Sequence, residues 1–154
     1  MRLKDKVAIV TGAGSGFGAG IARRFAEEGA QVIVNDVAPQ GEKVAKDIGG
    51  RFVQGDVTKS ADWARLVREA GERLDIVVNN AGWTHRNKPY LEVTEAEFAG
   101  GTVSEEAKKR FMATIPLGRF STPLDVANAC LYLASDEAAM ISGVCIEVDG
   151  ARCV

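Results

Sequence analysis

One histidine and three cysteines are all that 154 residues offer toward a metal centre. His85 lies in the polar stretch Thr84-His85-Arg86-Asn87-Lys88-Pro89 and reads as a surface residue rather than a catalytic base. Cys130, Cys145 and Cys153 are odd in number and show no metal-ligand spacing, so no metal site is expected. Cys130 and Cys145 sit in apolar segments and read as small buried hydrophobes, a usage that fits a reducing cytoplasm. Long apolar runs are missing too. None approaches the ~20 residues that cross a bilayer. The first run, in MRLKDKVAIVTG, is interrupted by charge and too short for a signal peptide, so a cytoplasmic protein without a membrane partner is expected. No excess charge of either sign exists: the net of −2 gives no electrostatic reason to expect nucleic acid. Lys108-Lys109-Arg110 is the solvated face of a helix on this reading. Low-complexity segments and internal repeats are absent.

What is present is a regular alternation of strand and helix patterns. Residues 6–11 (KVAIVT) form a continuous β-branched run, as a strand buried on both faces requires. Residues 16–29 carry Phe17, Ile21, Ala22, Phe25 and Ala26 at helical spacing, with Gly29 as the stop. A second strand follows at 30–36, a helix from Pro39 to about Ile48, and a short third strand at 51–54. A helix at 60–72 presents Trp63, Leu66 and Val67 on one face, and 74–79 is a fourth strand. Such alternation predicts right-handed βαβ units, a parallel sheet and helices on both faces. The second half differs. A polar helix at 102–114, the loop IPLGRF, a helix opening at Thr122-Pro123, and one strand at 144–148 complete the chain. A doubly wound sheet calls for more strands than that.

The turn after the first strand reads Thr11-Gly12-Ala13-Gly14-Ser15-Gly16-Phe17-Gly18. It leaves a strand, opens a helix, and is followed by Asp36 at the end of the second strand, the arrangement that cradles a dinucleotide. Gly12 permits the tight turn, and Gly16 and Gly18 permit close backbone approach. The helix N-terminus beyond them offers free amides and the positive end of its dipole to a pyrophosphate. Asp36 would accept hydrogen bonds from the adenosine ribose and repel a 2′-phosphate, and no Arg or Lys adjoins it. NAD is therefore expected over NADP.

The spacing Thr-Gly-x-x-x-Gly-x-Gly resembles that of the short-chain dehydrogenase/reductase family in its classical branch. Asp56-Val57 after the third strand is similar to the family's adenine-contacting pair. Asn79-Asn80-Ala81-Gly82 resembles its Asn-Asn-Ala-Gly motif, which braces the sheet and lines the cofactor cleft. Residues 115–151 resemble its C-terminal block, with Ala151 where Gly is usual. The resemblance covers residues 1 to about 98 and about 103 to 151. It implies a Rossmann-like α/β fold with an incomplete doubly wound sheet, the first four strands plus the C-terminal one. It further implies hydride transfer between NAD and a small alcohol or ketone, in a homo-oligomer, commonly a tetramer. The expected cofactor contacts are Gly12, Gly14, Ser15, Gly16, Phe17 and Gly18 around the pyrophosphate. Asp36 would hold the ribose, Asp56 and Val57 the adenine, and Asn80, Ala81 and Gly82 the cleft wall.

The family's catalytic Asn, Ser and Tyr-x-x-x-Lys have no counterpart in this chain. Tyr90 is followed four residues on by Thr94, and Tyr132, read as a core residue, by Asp136. Ser104, Ser121, Ser135 and Ser142 lie at caps and loops of the C-terminal block. No catalytic residue is assigned. Two helix openings, Thr94-Glu95-Ala96-Glu97 and Thr102-Val103-Ser104-Glu105, stand almost side by side with Gly100-Gly101 between them. Against the family, roughly 100 residues are missing there, so the chain reads as one domain, 1–154, with an apparent internal deletion near 99–101. Two explanations stand: a protein that truly lacks the segment, or a longer molecule of which these residues are the two flanks. The intact motifs on both sides favour the second. An NAD-dependent enzyme, an inactive NAD- or ADP-binding module, and an inert relic are the three readings that follow.

Overall fold

In a computed structural model of the chain, residues 1–82 and 105–152 are described, Ala107 by its backbone alone. Two compact units are present. The first comprises Met1–Ala81 and Ser121–Val148, the second Gly82–Phe120 and Asp149–Val154.

The first unit is built on four parallel strands: β1 (Val7–Thr11), β2 (Gln31–Asp36), β3 (Arg51–Gln54) and β4 (Ile76–Val78), in the order β3-β2-β1-β4. The register pairs Ile9 with Ile33 and Val77, and Val10 with Val34 and Val78. Because side chains alternate along a strand, each face of the sheet receives every second residue. Ala8, Val10, Val32 and Val34 therefore meet the helices on one side, and Ile9, Ile33 and Val53 those on the other. Both faces are apolar, which is why these runs are continuous rather than alternating.

Helix α1 (Gly16–Glu27) lays Ile21, Ala22 and Phe25 on the first face and ends at Gly29, whose φ of +91° suits a residue without Cβ. Helix α2 (Gly41–Asp47) joins it there through Val44 and Ala45. Pro39 precedes the helix by a turn, its carbonyl accepting the Glu42 N–H. On the opposite face α3 (Ser60–Glu69) is shorter than its pattern suggests. It buries Leu66 and half-buries Trp63, while Val67 stands 46% exposed rather than sharing their face.

From the far end of the sequence, α5 (Pro123–Ala134; α4 is introduced below) packs on α1. Ala127 and Leu131 enter the same core, and Gly20 lies so close to Pro123 that a Cβ there would stand 2.7 Å from the proline's own. Its start is the expected one, Thr122 capping with Pro at the first position. Asp125 completes a capping box by accepting the Thr122 N–H at 2.7 Å. Lys6–Asp136 and Arg2–Glu137 ion pairs tie the chain's beginning to the residues after α5.

Three expectations fail here. Residues 144–148 form no strand: among the described residues the sheet has four members, and Val144 and Ile146 are exposed. A strand exists only where a neighbour completes its hydrogen bonds, and among the described residues no strand pairs with this segment. Cys145 falls in that segment and is exposed rather than buried. Tyr132 lies on the outer side of α5, 37% exposed, because Ala127 and Leu131 define the helix's inner side. Cys130 is half-buried, and that burial raises its thiol pKa.

In the second unit, α4 (Glu105–Met112) carries the expected solvated basic run, with Lys108 paired to Glu105 at 2.6 Å. Phe111 stacks on Phe120 at 5.7 Å between ring centroids, and the Arg152 guanidinium covers Phe111 at 4.0 Å. The expectations for His85, Tyr90, Ser104, Cys153, the helix openings at 94 and 102 and the junction at 99–101 lie outside the described residues. Among the described residues, no helix is long and apolar enough to cross a membrane.

Candidate functional site

The first turn of α1 opens at the C-terminal end of β1, at the switch where the connection from β1 runs to one side of the sheet and that from β3 to the other. Gly12 adopts φ +60°, and a Cβ on it would stand 2.8 Å from the Ala81 Cα. Only glycine fits. Gly18 is packed just as closely, against the Gly12 carbonyl, so its lack of a side chain serves the loop's own closure. Gly16 is different in kind. It has φ +55°, and a Cβ there would meet nothing within 4 Å. Ser15 stands at the N-cap position, but its hydroxyl makes no capping bond, and the Phe17 ring is exposed. The first N–H groups of α1 therefore point from the helix end with no intrahelical acceptor to take them.

A polar knot fixes the loop to β4. Thr11, 1% exposed, donates its hydroxyl to the Val78 carbonyl at 3.2 Å. The same oxygen accepts the Asn80 and Ala81 N–H groups, both at 3.0 Å. Asn80 Nδ2 in turn reaches the Thr11 carbonyl at 2.8 Å and the Gly12 carbonyl at 3.1 Å. Asn80 and Ala81 are thus held against Gly12. Gly82, the next residue, opens the second unit.

On the β2 side the Asn35 carbonyl accepts the Ala13 N–H at 2.9 Å. Asp36 Oδ2 accepts the Gly14 N–H at 2.8 Å, and its Oδ1 that of Ala38 at 3.0 Å. The buried Asn35 amide donates to the carbonyls of Val53 and Gly55, linking the end of β2 to the end of β3. Beyond β3, Asp56 turns inward on its own loop. Its carboxylate accepts both the N–H and the hydroxyl of Thr58, which, with Lys59 nearby, holds it below the usual carboxylate range. Asp62 accepts the Asp56 N–H at 2.9 Å, and the Trp63 indole donates to the Val57 carbonyl at 2.9 Å.

A family model described as short chain dehydrogenase matches residues 6–101. The chain belongs to the short-chain dehydrogenase family. A second model, described as Enoyl-(Acyl carrier protein) reductase, matches residues 99–151, so the two meet where the helix openings crowd together. The family is one of oxidoreductases that bind a nicotinamide cofactor and act on small molecules. Among similar proteins is the 4-formylbenzenesulfonate dehydrogenase of Comamonas testosteroni, 32% identical over 250 positions that cover 99% of each protein. An alignment of that length against 154 residues leaves about a hundred positions of the relative without a counterpart. The NADP-dependent (R)-specific alcohol dehydrogenase of Lentilactobacillus kefiri is 51% identical over 89 residues. That match covers 53% of this chain and only 35% of the relative. A solved 3-ketoacyl-(acyl-carrier-protein) reductase from Brucella melitensis, complexed with NADH, superposes with a TM-score of 0.87 at 27% identity. The superposition covers 99% of this chain and 100% of that one.

The short-chain dehydrogenase motifs thus converge in the first unit. Gly18, Asn80 and Ala81 pack against Gly12, and Asp36 bonds Gly14, while Asp56 and Val57 are held by their own turn and by α3. In the sequence Thr11 stands out only as the first residue of the glycine motif, without a role, and Asn35 and Asp62 not at all. A polar residue interrupting the apolar runs of β1 and β2 was the available signal for the first two. No group of three potential metal ligands occurs among the described residues.

Proposed function

We propose that this unit holds the adenosine diphosphate half of NAD, and that the protein is an NAD-dependent oxidoreductase acting on an alcohol or ketone. The observation that carries the reading is the open space over Gly16, at a helix N-terminus whose first N–H groups have no intrahelical acceptor, two residues after the Gly14 that the Asp36 carboxylate holds. Gly12, Gly14, Ser15, Gly16, Phe17 and Gly18 would surround the pyrophosphate. Asp36 would accept from the ribose hydroxyls, Asp56 and Val57 would flank the adenine, and Asn80, Ala81 and Gly82 would line the cleft. Bound NAD would supply a hydride acceptor at its nicotinamide. This chain's own contribution is to bind and orient the other end. A 2′-phosphate placed near Asp36 would meet a repulsion of about 1–4 kcal/mol at ~4 Å, which supports NAD over NADP.

The segment opposite the alignment gap is where the resemblance puts proton transfer and nicotinamide contacts, and no Tyr-x-x-x-Lys occurs in these 154 residues. That absence favours the second reading for the chain as written, a nucleotide-binding module without turnover. The meeting of two family models at 99–101 supports an internal deletion there. Intact mass separates the cases. A protein of 16.4 kDa lacks the segment and should bind ADP without oxidising any alcohol, whereas one roughly 10 kDa heavier should reduce NAD with a suitable alcohol. In either, Gly16→Leu should abolish ADP binding by isothermal titration calorimetry. ADP binding by that variant equal to wild type would sink the site, and no binding by wild type would leave only the inert relic. A cytoplasmic homo-oligomer, with the tetramer as the family's common state, completes the proposal.

A further inference from the structure

Asp36 does more in this structure than wait at the end of β2. Both of its carboxylate oxygens are engaged by backbone N–H groups, Oδ2 by Gly14 in the glycine loop and Oδ1 by Ala38. Its own carbonyl accepts the Gly55 N–H at 3.0 Å, and the Asn35 carbonyl before it accepts the Ala13 N–H at 2.9 Å. The two loop residues between the Gly12 turn and the N-cap of α1 are thus both tied to β2, the second by a side chain. Contact there is tight: a Cβ on Gly14 would lie 2.8 Å from Asp36 Oδ2 and 3.2 Å from the Gly41 nitrogen. The Gly14 N–H is spent on Asp36.

We propose that Asp36 is a positioning residue for the pyrophosphate as well as the acceptor for the ribose, latching the glycine loop through Gly14 in the shape that presents the α1 N-terminus. The proposal rests on the nucleotide-binding reading above. Each carboxylate oxygen has lone pairs enough to accept from a backbone N–H and a ribose hydroxyl together, so the two duties do not compete. One side chain then couples sugar recognition to phosphate binding, and changing it to alter cofactor preference also loosens the loop.

The sign of one effect separates this from a ribose-only role. Inorganic pyrophosphate has no ribose, and a carboxylate nearby repels it. If Asp36 serves only the sugar, Asp36→Ala relieves that repulsion and pyrophosphate binds equally or more tightly. If Asp36 latches the loop, the variant must order Gly14 on binding, and pyrophosphate binds about tenfold more weakly. The experiment measures pyrophosphate and ADP affinity calorimetrically for wild type, Asp36→Ala and Asp36→Asn, with amide exchange at Gly14 followed by NMR. Asp36→Asn keeps the side chain's shape but accepts only one of the two N–H groups, so it should show a smaller loss of the same sign. It also answers the question if Asp36→Ala does not fold. Weaker pyrophosphate binding with faster Gly14 exchange supports the latch. Unchanged or tighter pyrophosphate binding alongside weaker ADP binding overturns it and leaves the nucleotide site standing. Wild type that binds neither ligand overturns both.

Discussion

Replacing Thr11 with valine changes one hydroxyl into a methyl at nearly constant shape, at a site 1% exposed. The hydroxyl donates to Val78 O and accepts from the N–H groups of Asn80 and Ala81. The Asn80 N–H and Val78 O also bond each other at 3.0 Å, so of the three only the Ala81 N–H is left without its acceptor. A part-buried group left unpaired costs about 1 kcal/mol, and each of the two other lost bonds about 0.5–1 kcal/mol. The added methyl returns about 0.8 kcal/mol. The net loss is about 1.5 kcal/mol, equivalent to roughly 3–6 °C in Tm for a chain of this size. Urea unfolding followed by circular dichroism measures it directly. Thr11→Ser is the control: it keeps the oxygen, drops a methyl, and should cost only ~0.8 kcal/mol. A valine variant within about 0.5 kcal/mol of wild type, or a serine variant less stable than the valine one, would refute the hydroxyl's role as the brace between β1 and β4.

Asp75 accepts the Val7 N–H at 2.8 Å and pairs with Arg73, which holds its pKa below the ordinary aspartate value. Its folded pKa being the lower, the stabilisation is complete above the ordinary aspartate range and is lost as pH falls through it toward the lowered value. Acid titration of stability should therefore be shallower in Asp75→Asn; an unchanged slope would contradict the assignment. Cys145 is exposed, whereas burial raises the Cys130 pKa. Maleimide at neutral pH should label Cys145 faster by about tenfold, as peptide mapping would show, and faster labelling of Cys130 would contradict its burial. Thr122→Ala removes the capping box of α5 and should cost about 1 kcal/mol in urea unfolding, while Thr122→Ser should retain most of it.

The parts of this molecule that sequence alone disclosed are those whose cause is local. The glycine loop was legible because strand pattern, turn residues and helix pattern follow one another within twenty or so positions, and Asp36 closes the next strand. Thr122 and Pro123 announce α5 by chemistry confined to one turn. The knot at Thr11 joins residues about seventy apart, and the contact of Asp36 with Gly14 depends on how closely β1 and β2 run. No spacing rule contains either. The segment 144–148 shows the opposite error: its composition is that of a strand, but strand formation belongs to a pair, and no partner strand lies beside it among the described residues. Cys145 inherits that error, whereas Tyr132 was misplaced because its helix has only one buried side.

The docking of α5 on α1 bears on how the family can vary. Those two helices, from opposite ends of the sequence, share one core, and everything between Ala81 and Ser121 is, in polymer terms, a closed loop. The entropy of closing a loop grows only with the logarithm of its length, about 0.6 kcal/mol per doubling. Adding about a hundred residues to the stretch Gly82–Phe120 is nearly two doublings, so the charge against that docking is on the order of 1 kcal/mol. The first unit is therefore almost indifferent to the length of the segment between its two pieces, and insertion or excision there tests the inserted segment's own folding far more than that of its host.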